Sequence, residues 1–199
     1  MGNRKEEIVR AALLLAAENG LGTVSMQQIA DKVGITKASL YNHFKSRDEI
    51  VDAMYEILRN GSKEKVSLES PDYDMLSADM KLKDILMGSI DTYRKMVSDP
   101  DMNLFYRIIM SERTINSSAA DIMVKETKTM INATRSLFYA LQVKGIADFK
   151  DVDAAALSFA MSVHSIIDYE FDLQFSGNKP DKNMMKSYIE EFCRLYSVD

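Results

Sequence analysis

The chain has few of the residues that build turns, disulfides and membrane spans. Three prolines and eight glycines among 199 residues leave little material for a fold of short strands and tight turns. The single cysteine, Cys193, excludes an internal disulfide, which is typical of proteins of the reducing cytoplasm, and we predict that location. We expect no membrane partner, because no stretch approaches the ~20 apolar residues that a helix needs to cross a bilayer.

Side chains for catalysis are equally scarce. Two histidines, one cysteine and no glycine-rich phosphate loop provide neither a zinc-ligand spacing nor a nucleophile–base pair. We therefore expect no catalytic residues, no metal and no cofactor. An enzyme with a helical body is the alternative with the least support.

Helix-forming residues are abundant instead. Long stretches rich in Ala, Leu, Met, Lys and Glu favour helix, and the chain has no strand pattern, internal repeat or low-complexity tract. The predicted fold class is all-α.

The most informative segment is 25–47, which combines two short helices, a turn and the start of a third helix. Ser25 and Gln28 form a predicted capping box. Gly34 supplies the left-handed residue that ends the first helix, and Thr36 caps the second. This spacing is typical of a helix-turn-helix, whose second helix enters a DNA groove.

Apolar residues of this region fall on inward faces. A preceding helix is predicted to end at Asn19-Gly20, and a following one starts at Ser46 with Glu49 as its capping partner. The alternative is a well-capped helical hairpin with no affinity for DNA. The predicted shared core consists of Ile8, Leu15, Val24, Ile29, Val33, Leu40 and Phe44.

The segment resembles the N-terminal domain of the TetR family of transcriptional regulators over about residues 5–55. The resemblance implies a three-helix helix-turn-helix domain over 1–47 and a C-terminal helical ligand-binding and dimerisation bundle over 48–199. Beyond residue 55 the chain is similar to the family only in length and helical character. The residues that carry the resemblance are Ile8 to Ala12, Ala16, Gly20, Ile29-Ala30, Gly34 and Leu40-Tyr41-Asn42-His43-Phe44-Lys45-Ser46-Arg47.

The resemblance also implies which residues contact DNA. Lys37, Ala38 and Ser39 would open the recognition helix and face the major groove. Tyr41 and His43 would lie against the phosphate backbone. Without the motif, His43 would be an ordinary solvated imidazole and Tyr41 a core aromatic with its hydroxyl at the surface.

Other candidate contacts flank the recognition helix. Asn42 would reach base edges or a phosphate, and Ser25 with Gln27 would meet the flanking strand. Arg47 stands where most relatives have Lys, and it keeps a charge for a phosphate. The candidate DNA-binding residues are Ser25, Gln27, Thr36, Lys37, Ala38, Ser39, Tyr41, Asn42, His43, Lys45 and Arg47.

The charge balance agrees only weakly with a DNA-binding protein. Residues 1–50 hold seven basic and six acidic residues, whereas 51–199 hold 18 and 24, so the net charges are +1 and −6. We expect modest non-specific affinity and a homodimer that presents two reading helices to one palindromic operator. The weak positive charge also supports an interaction module that has lost DNA affinity.

Several further helices are expected after the helix-turn-helix. Helix four is predicted to end near Asn60-Gly61 or to extend to Lys65 before Ser70-Pro71-Asp72 stops it, and a polar connector follows over 67–80. The predicted later helices cover about 81–98, 102–113, 119–143, 152–175 and 182–196.

The last two predicted helices carry more apolar surface than one protomer needs. In the TetR family they form a four-helix dimer interface, and the alternative is that both close the protomer's own core. The residues assigned to the interface are Phe159, Val163, Ile167, Phe171, Tyr188 and Phe192.

The resemblance to the TetR family also implies an inducer cavity among the later helices. Fourteen methionines would suit an adaptable apolar pocket there, for an unidentified, largely apolar small-molecule inducer. The alternative for any one of them is ordinary core filling, and His164 has the alternative of a satisfied core imidazole. The residues assigned to the pocket are Tyr93, Met96, Phe105, Ile109, Met130, Phe138, His164 and Asp168. Together these features predict a dimeric, ligand-responsive transcriptional regulator that acts as a repressor.

Overall fold

The structure, a computed structural model, describes residues 4–65, 73–181 and 183–198, without the side chains of residues 62, 63 and 65. This part of the chain folds into nine α-helices and two short 3₁₀ turns, Leu21–Thr23 and Tyr73–Met75, with no β-strand. The all-α prediction is confirmed. The helices are α1 Arg4–Asn19, α2 Met26–Val33, α3 Lys37–His43, α4 Arg47–Lys65, α5 Leu82–Val97, α6 Pro100–Glu112, α7 Ser117–Val143, α8 Val152–Phe175 and α9 Met184–Tyr196.

Local capping bonds begin and end the N-terminal helices. The Ser25–Gln28 capping box is present in both directions, and Gly34 ends α2 with φ 74°. The Thr36 hydroxyl accepts from the amide of Ser39, which caps α3. These bonds satisfy backbone groups that a helix end leaves free, so the predicted boundaries are confirmed.

The start of α4 differs in one detail from the predicted capping box. Ser46 Oγ accepts from the amide of Glu49 at 3.1 Å, as predicted. The returning bond, however, runs from the amide of Lys45 to Glu49 Oε2 at 2.5 Å. The carboxylate therefore satisfies the residue before the cap.

Contacts divide the chain into two compact units. Unit 1 comprises Met1–Glu69 and Lys95–Glu126, and unit 2 comprises Ser70–Arg94 and Thr127–Asp199. Unit 1 thus groups α6 and the first turns of α7 with the helix-turn-helix. The predicted boundary at residue 47 separates functional domains and not contact-based units, and it stays a prediction. The predicted helix stop at Ser70-Pro71-Asp72 lies outside the described residues.

The core of unit 1 is built from α1, α2, α3, α4, α6 and the start of α7. Six of the seven predicted core residues are buried, and Val33 is half-buried at the rim. From α6 the core gains Met102, Phe105 and Ile109, all 0% exposed. This packing explains why the α6 sequence is apolar on several faces.

The core of unit 2 is dominated by aromatic rings. Phe138 stacks on Phe149 with ring centroids 4.7 Å apart, and Phe192 meets Phe159 edge to face at 4.8 Å. The carbonyl of Tyr196 accepts a hydrogen bond from the amide of Asp148, which ties the end of α9 to the loop before α8. Ring packing of this kind adds to the burial energy of each side chain.

Candidate nucleic-acid interface

The recognition helix α3 is amphipathic in the sense that DNA reading requires. Leu40 and Phe44 point into unit 1 with exposures of 0% and 2%. Of the eleven candidate DNA-binding residues, eight are exposed and three are half-buried, namely Ser39, His43 and Arg47. The inward stripe and the Thr36 cap together hold the polar side of the helix toward solvent.

Some of these side chains are already engaged inside the protomer. Gln27 Nε2 donates to Asp31 at 2.7 Å, and Lys45 Nζ donates to the carbonyl of Tyr41 at 3.1 Å. Within the described part of the chain, the exposed side chains of Lys37, Tyr41 and Asn42 have no such partner. They can therefore bind a ligand without first breaking a bond.

Arg47 lies differently from the other candidates. Its guanidinium donates to the carbonyl of Gly22 at 2.9 Å, and a second nitrogen lies 3.3 Å from Asp48 Oδ1. The side chain is one-third exposed. The group assigned to a phosphate is thus bonded to the protein's own backbone.

Lys5 is a basic residue that the sequence analysis did not assign to the interface. Its ammonium lies 5.4 Å from the centroid of the Phe44 ring, which places it beside the C-terminal end of α3. A cation over an aromatic face is attracted by the ring quadrupole. The two residues are far apart in sequence, so no spacing pattern could have indicated this contact.

A buried ion pair in unit 1 was also missed. The Glu126 carboxylate, 1% exposed, accepts from Tyr55 Oη at 2.5 Å and from the guanidinium of Arg59. Burial opposes the charge on Arg59, but the Glu126 carboxylate together with the Tyr55 and Tyr106 hydroxyls outweighs it, so the pKa of Arg59 is raised. No motif predicts such a pair, since α4 and α7 bring it together.

The predicted pocket residues divide between the two units. Met96, Phe105 and Ile109 are buried in unit 1, and Phe138 is buried in the aromatic cluster of unit 2. Also in unit 2, His164 Nε2 lies 3.5 Å from Asp168 Oδ2 on one face of α8. Their assignment to a ligand stays a prediction. The remaining two, Tyr93 and Met130, are half-buried in unit 2.

Unit 2 has an open cleft of about 410 Å³ between α7 and α8. None of the predicted pocket residues lines it, and its walls include the ion pair of Arg135 with Asp153 at 2.8 Å. Within 4–65, 73–181 and 183–198, no three His, Cys, Asp or Glu side chains converge as metal ligands. The lining residues are Lys128, Ile131, Asn132, Arg135, Asp153, Ala154 and Leu157.

The six residues assigned to the dimer interface differ in burial, and their assignment stays a prediction. Four of them are at most 6% exposed because they pack in the core of unit 2. These four are Phe159, Val163, Ile167 and Phe192. The other two, Phe171 and Tyr188, are half-buried.

Exposed apolar side chains of the last two helices lie elsewhere. They are Leu157, Met161, Tyr169 and Phe175 on α8 and Leu195 on α9, each between 41% and 79% exposed. The last two helices therefore do expose apolar surface, but at positions other than the six assigned to the interface. Helical periodicity alone could not orient α8, because apolar residues surround most of it.

Family models match most of the chain. The model described as "Bacterial regulatory proteins, tetR family" matches residues 8–54. The model described as "AefR-like transcriptional repressor, C-terminal domain" matches residues 84–198, more than half of the chain.

Curated relatives match over the N-terminal region. The transcriptional repressor KstR2 of Mycolicibacterium smegmatis is 38% identical over 58 residues, 29% of this chain and 27% of its own length. The nucleoid occlusion factor SlmA of Citrobacter koseri is 31% identical over 81 residues, 40% of this chain and 41% of its own. The chain thus spans less than half the length of these relatives.

Solved structures match over nearly the whole chain. A TetR-family regulator from Mesorhizobium loti has a TM-score of 0.71 at 17% identity and covers 98% of this chain and 97% of its own. The SmeT–triclosan complex has a TM-score of 0.75 at 15% identity, with coverages of 98% and 92%. At these identities the likeness shows the fold. Among the described helices, none has the length and apolar character of a membrane span.

Proposed function

Since the chain belongs to the TetR family of transcriptional regulators, a family of DNA-binding rather than enzymatic proteins, we propose that it is a homodimeric repressor. It binds a palindromic operator through α3 and leaves the operator when a small molecule binds the C-terminal helices. The observation that carries this proposal is the exposed polar face of α3 opposite a fully buried Leu40.

The reading residues are assigned by their places on that face. Lys37, Ala38 and Ser39 lie in the first turn of α3, the part of a recognition helix that meets base edges. Tyr41 and His43 lie further along, where hydroxyl and imidazole donors reach phosphates. Since Ala38 and Ser39 carry little base-specific chemistry, Asn42 and Lys37 supply most of the direct readout.

Dimerisation uses the exposed apolar side chains of α8 and α9. Met161 and Tyr169 on α8 and Leu195 on α9 together present a surface that water disfavours. A two-fold dimer places two copies of α3 on successive half-sites, which compensates for the small net charge of each reading domain.

Release follows from a shift between two forms of the dimer. The inducer binds the form whose reading helices no longer match the half-sites better than it binds the DNA-bound form, because equal affinity would shift nothing. The methionine and aromatic content of the C-terminal helices favours a largely apolar inducer.

Selection of bound fragments from a random duplex pool tests the DNA-binding function. We expect enrichment of a palindrome with half-sites about one helical turn apart and affinity that falls steeply with salt. Lys37→Ala should weaken binding and flatten the salt dependence, while Lys150→Ala, on an exposed loop of unit 2, should change neither. Binding that ignores both salt and Lys37 would favour the interaction module instead.

Sedimentation of charged variants tests the dimer. Met161→Asp should yield monomers at concentrations where the wild-type chain is dimeric, because the interface would bury an unpaired carboxylate. Val143→Asp is the matched control, since Val143 is 82% exposed at the end of α7. If both variants remain dimeric, this face of α8 is not the interface.

A further inference from the structure

The 3₁₀ turn Leu21–Thr23 between α1 and α2 is held on two edges by side chains of opposite charge. On one edge, Glu112 Oε1, from the last turn of α6, accepts from the amide of Leu21 at 2.5 Å and from that of Gly22 at 3.4 Å. On the other, Arg47 Nη1, from the first turn of α4, donates to the carbonyl of Gly22 at 2.9 Å. Both elements belong to unit 1.

The backbone of the turn needs these partners. Gly20 has φ 83°, which turns the chain out of α1 and takes the next amides off the helical ladder. Leu21 itself is only 2% exposed, so water is a poor substitute for the carboxylate. A buried amide without an acceptor is costly, and a charged acceptor forms a strong bond with it.

The turn leads directly into the reading helices. Val24, 5% exposed, follows it and is followed by Ser25, the cap of α2. The position of the turn therefore sets where α2 begins, and α2 carries α3 through the Gly34 turn. A second bond ties α6 to α1, the helix before the turn, because Asp101 near the start of α6 pairs with Arg10 of α1 at 2.6 Å.

Arg47 is used differently from Lys37. The two terminal nitrogens of the Arg47 guanidinium contact the Gly22 carbonyl and the Asp48 carboxylate, whereas the Lys37 ammonium has no partner among the described residues. A phosphate would have to share the Arg47 guanidinium with the Gly22 carbonyl and the Asp48 carboxylate. The neighbouring Asp48 carboxylate also offsets its charge where a phosphate would lie.

We propose that Glu112 and Arg47 are positioning residues for DNA binding, which clamp the α1–α2 turn so that α2 and α3 meet DNA in the correct place. Arg47 acts through this turn and not through a phosphate. The inference rests on the proposed DNA-binding function.

Hydrogen exchange of the segment 20–24 tests the clamp without DNA. In Glu112→Ala, we expect exchange of the Leu21 and Gly22 amides about tenfold faster than in the wild type, because one charge-assisted bond is lost. Glu112→Gln keeps an acceptor oxygen and should retain most of the protection. Asp121→Ala removes an exposed carboxylate of unit 1 and should leave exchange unchanged. Equal exchange in Glu112→Ala and the wild type would overturn the clamp.

Salt-dependent binding to a palindromic duplex selected from the random pool tests the role in DNA recognition. Arg47→Ala should bind about tenfold more weakly than the wild type, with the same slope of log affinity against log salt concentration. Lys37→Ala should instead have a shallower slope, by the amount expected for about one lost phosphate contact per protomer. Glu112→Ala should behave like Arg47→Ala. Glu112→Gln has the same net charge as Glu112→Ala but keeps an acceptor oxygen, so it should retain most of the wild-type affinity. Helical content and melting temperature of each variant exclude unfolding as the cause.

The outcomes separate the two proposals. If the Arg47→Ala slope falls as much as that of Lys37→Ala, Arg47 is a phosphate contact and the positioning role is wrong. If the wild-type chain binds no duplex, the proposed function fails together with the DNA part of this inference. The exchange measurement still decides whether Glu112 holds the turn.

Discussion

Units 1 and 2 both have ion pairs between helices far apart in sequence, but they differ in what their interiors contain. Unit 1 buries a charged pair, Arg59 with Glu126, and a carboxylate, that of Glu112, bonds its Leu21–Thr23 turn. In unit 2 the pairs of Arg94 with Glu170 and Lys83 with Glu190 are partly exposed, and the interior is an aromatic cluster in which Phe138 contacts rings from three other segments.

The difference matches what each unit must do under the proposed function. Hydrogen bonds have narrow distance and angle requirements, so they can hold a reading helix in one orientation. Ring packing tolerates small shifts while it keeps most of its burial energy, which suits a body that adapts to ligands. Four predictions test this contrast, from the largest expected effect to the smallest.

Phe138→Ala should be the most damaging change in unit 2. Removal of a ring that is 0% exposed leaves a cavity and should lower the free energy of unfolding by about 4 kcal/mol, as chemical denaturation would measure. Val143→Ala is the control, because Val143, the last residue of α7, is 82% exposed and its replacement should cost less than ~0.5 kcal/mol. Similar losses in both variants would show that the cluster does not hold unit 2.

Glu126→Ala should be the corresponding change in unit 1. It leaves the Arg59 guanidinium buried without its carboxylate, so the free energy of unfolding should fall by about 3 kcal/mol. The double variant Arg59→Met with Glu126→Leu removes both charges and should recover most of the loss. A double variant as unstable as the single one would mean that packing, and not the unpaired charge, determines the cost.

Thr36→Ala removes the cap of the recognition helix and should cost about 1 kcal/mol in unfolding free energy. Thr36→Ser keeps the hydroxyl and should be close to the wild type. The measurement compares both by denaturation, without DNA, because Thr36 also belongs to the candidate interface. An equal loss in the serine variant would assign the effect to the methyl group instead.

The rate at which the Cys193 thiol is alkylated measures how often α9 opens, and it requires no substitution that would change stability. Burial raises the pKa of its thiol, so less thiolate is present at pH 8 than for an ordinary cysteine. Alkylation by iodoacetamide should therefore be slower in the native chain than in urea, and it should accelerate as the pH rises toward the raised pKa. Equal native and unfolded rates would show that α9 opens freely.

Features that depend on neighbouring residues were predicted well. The caps at Ser25 and Thr36 and the turn at Gly34 are present because their partners lie within four positions. The bounds of α8 were also correct, since the cap at Asp151 and the end of the apolar pattern are local. The exposed face of α3 follows from the inward stripe of Leu40 and Phe44.

Features that depend on helix packing were missed or stay predictions. The bond between Glu112 and Leu21 joins residues 91 positions apart, and the Arg59–Glu126 pair spans 67. The interface assignment chose Phe159 and Phe192, which the core of unit 2 encloses. A helix that is apolar on several sides has no periodic signal to say which side faces inward.

By itself, the sequence determined the helices, their ends and the polar face of α3, because capping bonds and the 3.6-residue period act within a few residues of the chain. Only the tertiary structure decided which charges meet across helices and which apolar side chains stay exposed. Those outcomes depend on how six or more helices pack at once. For that reason the bond between Arg47 and the Gly22 carbonyl could be found only in the tertiary structure.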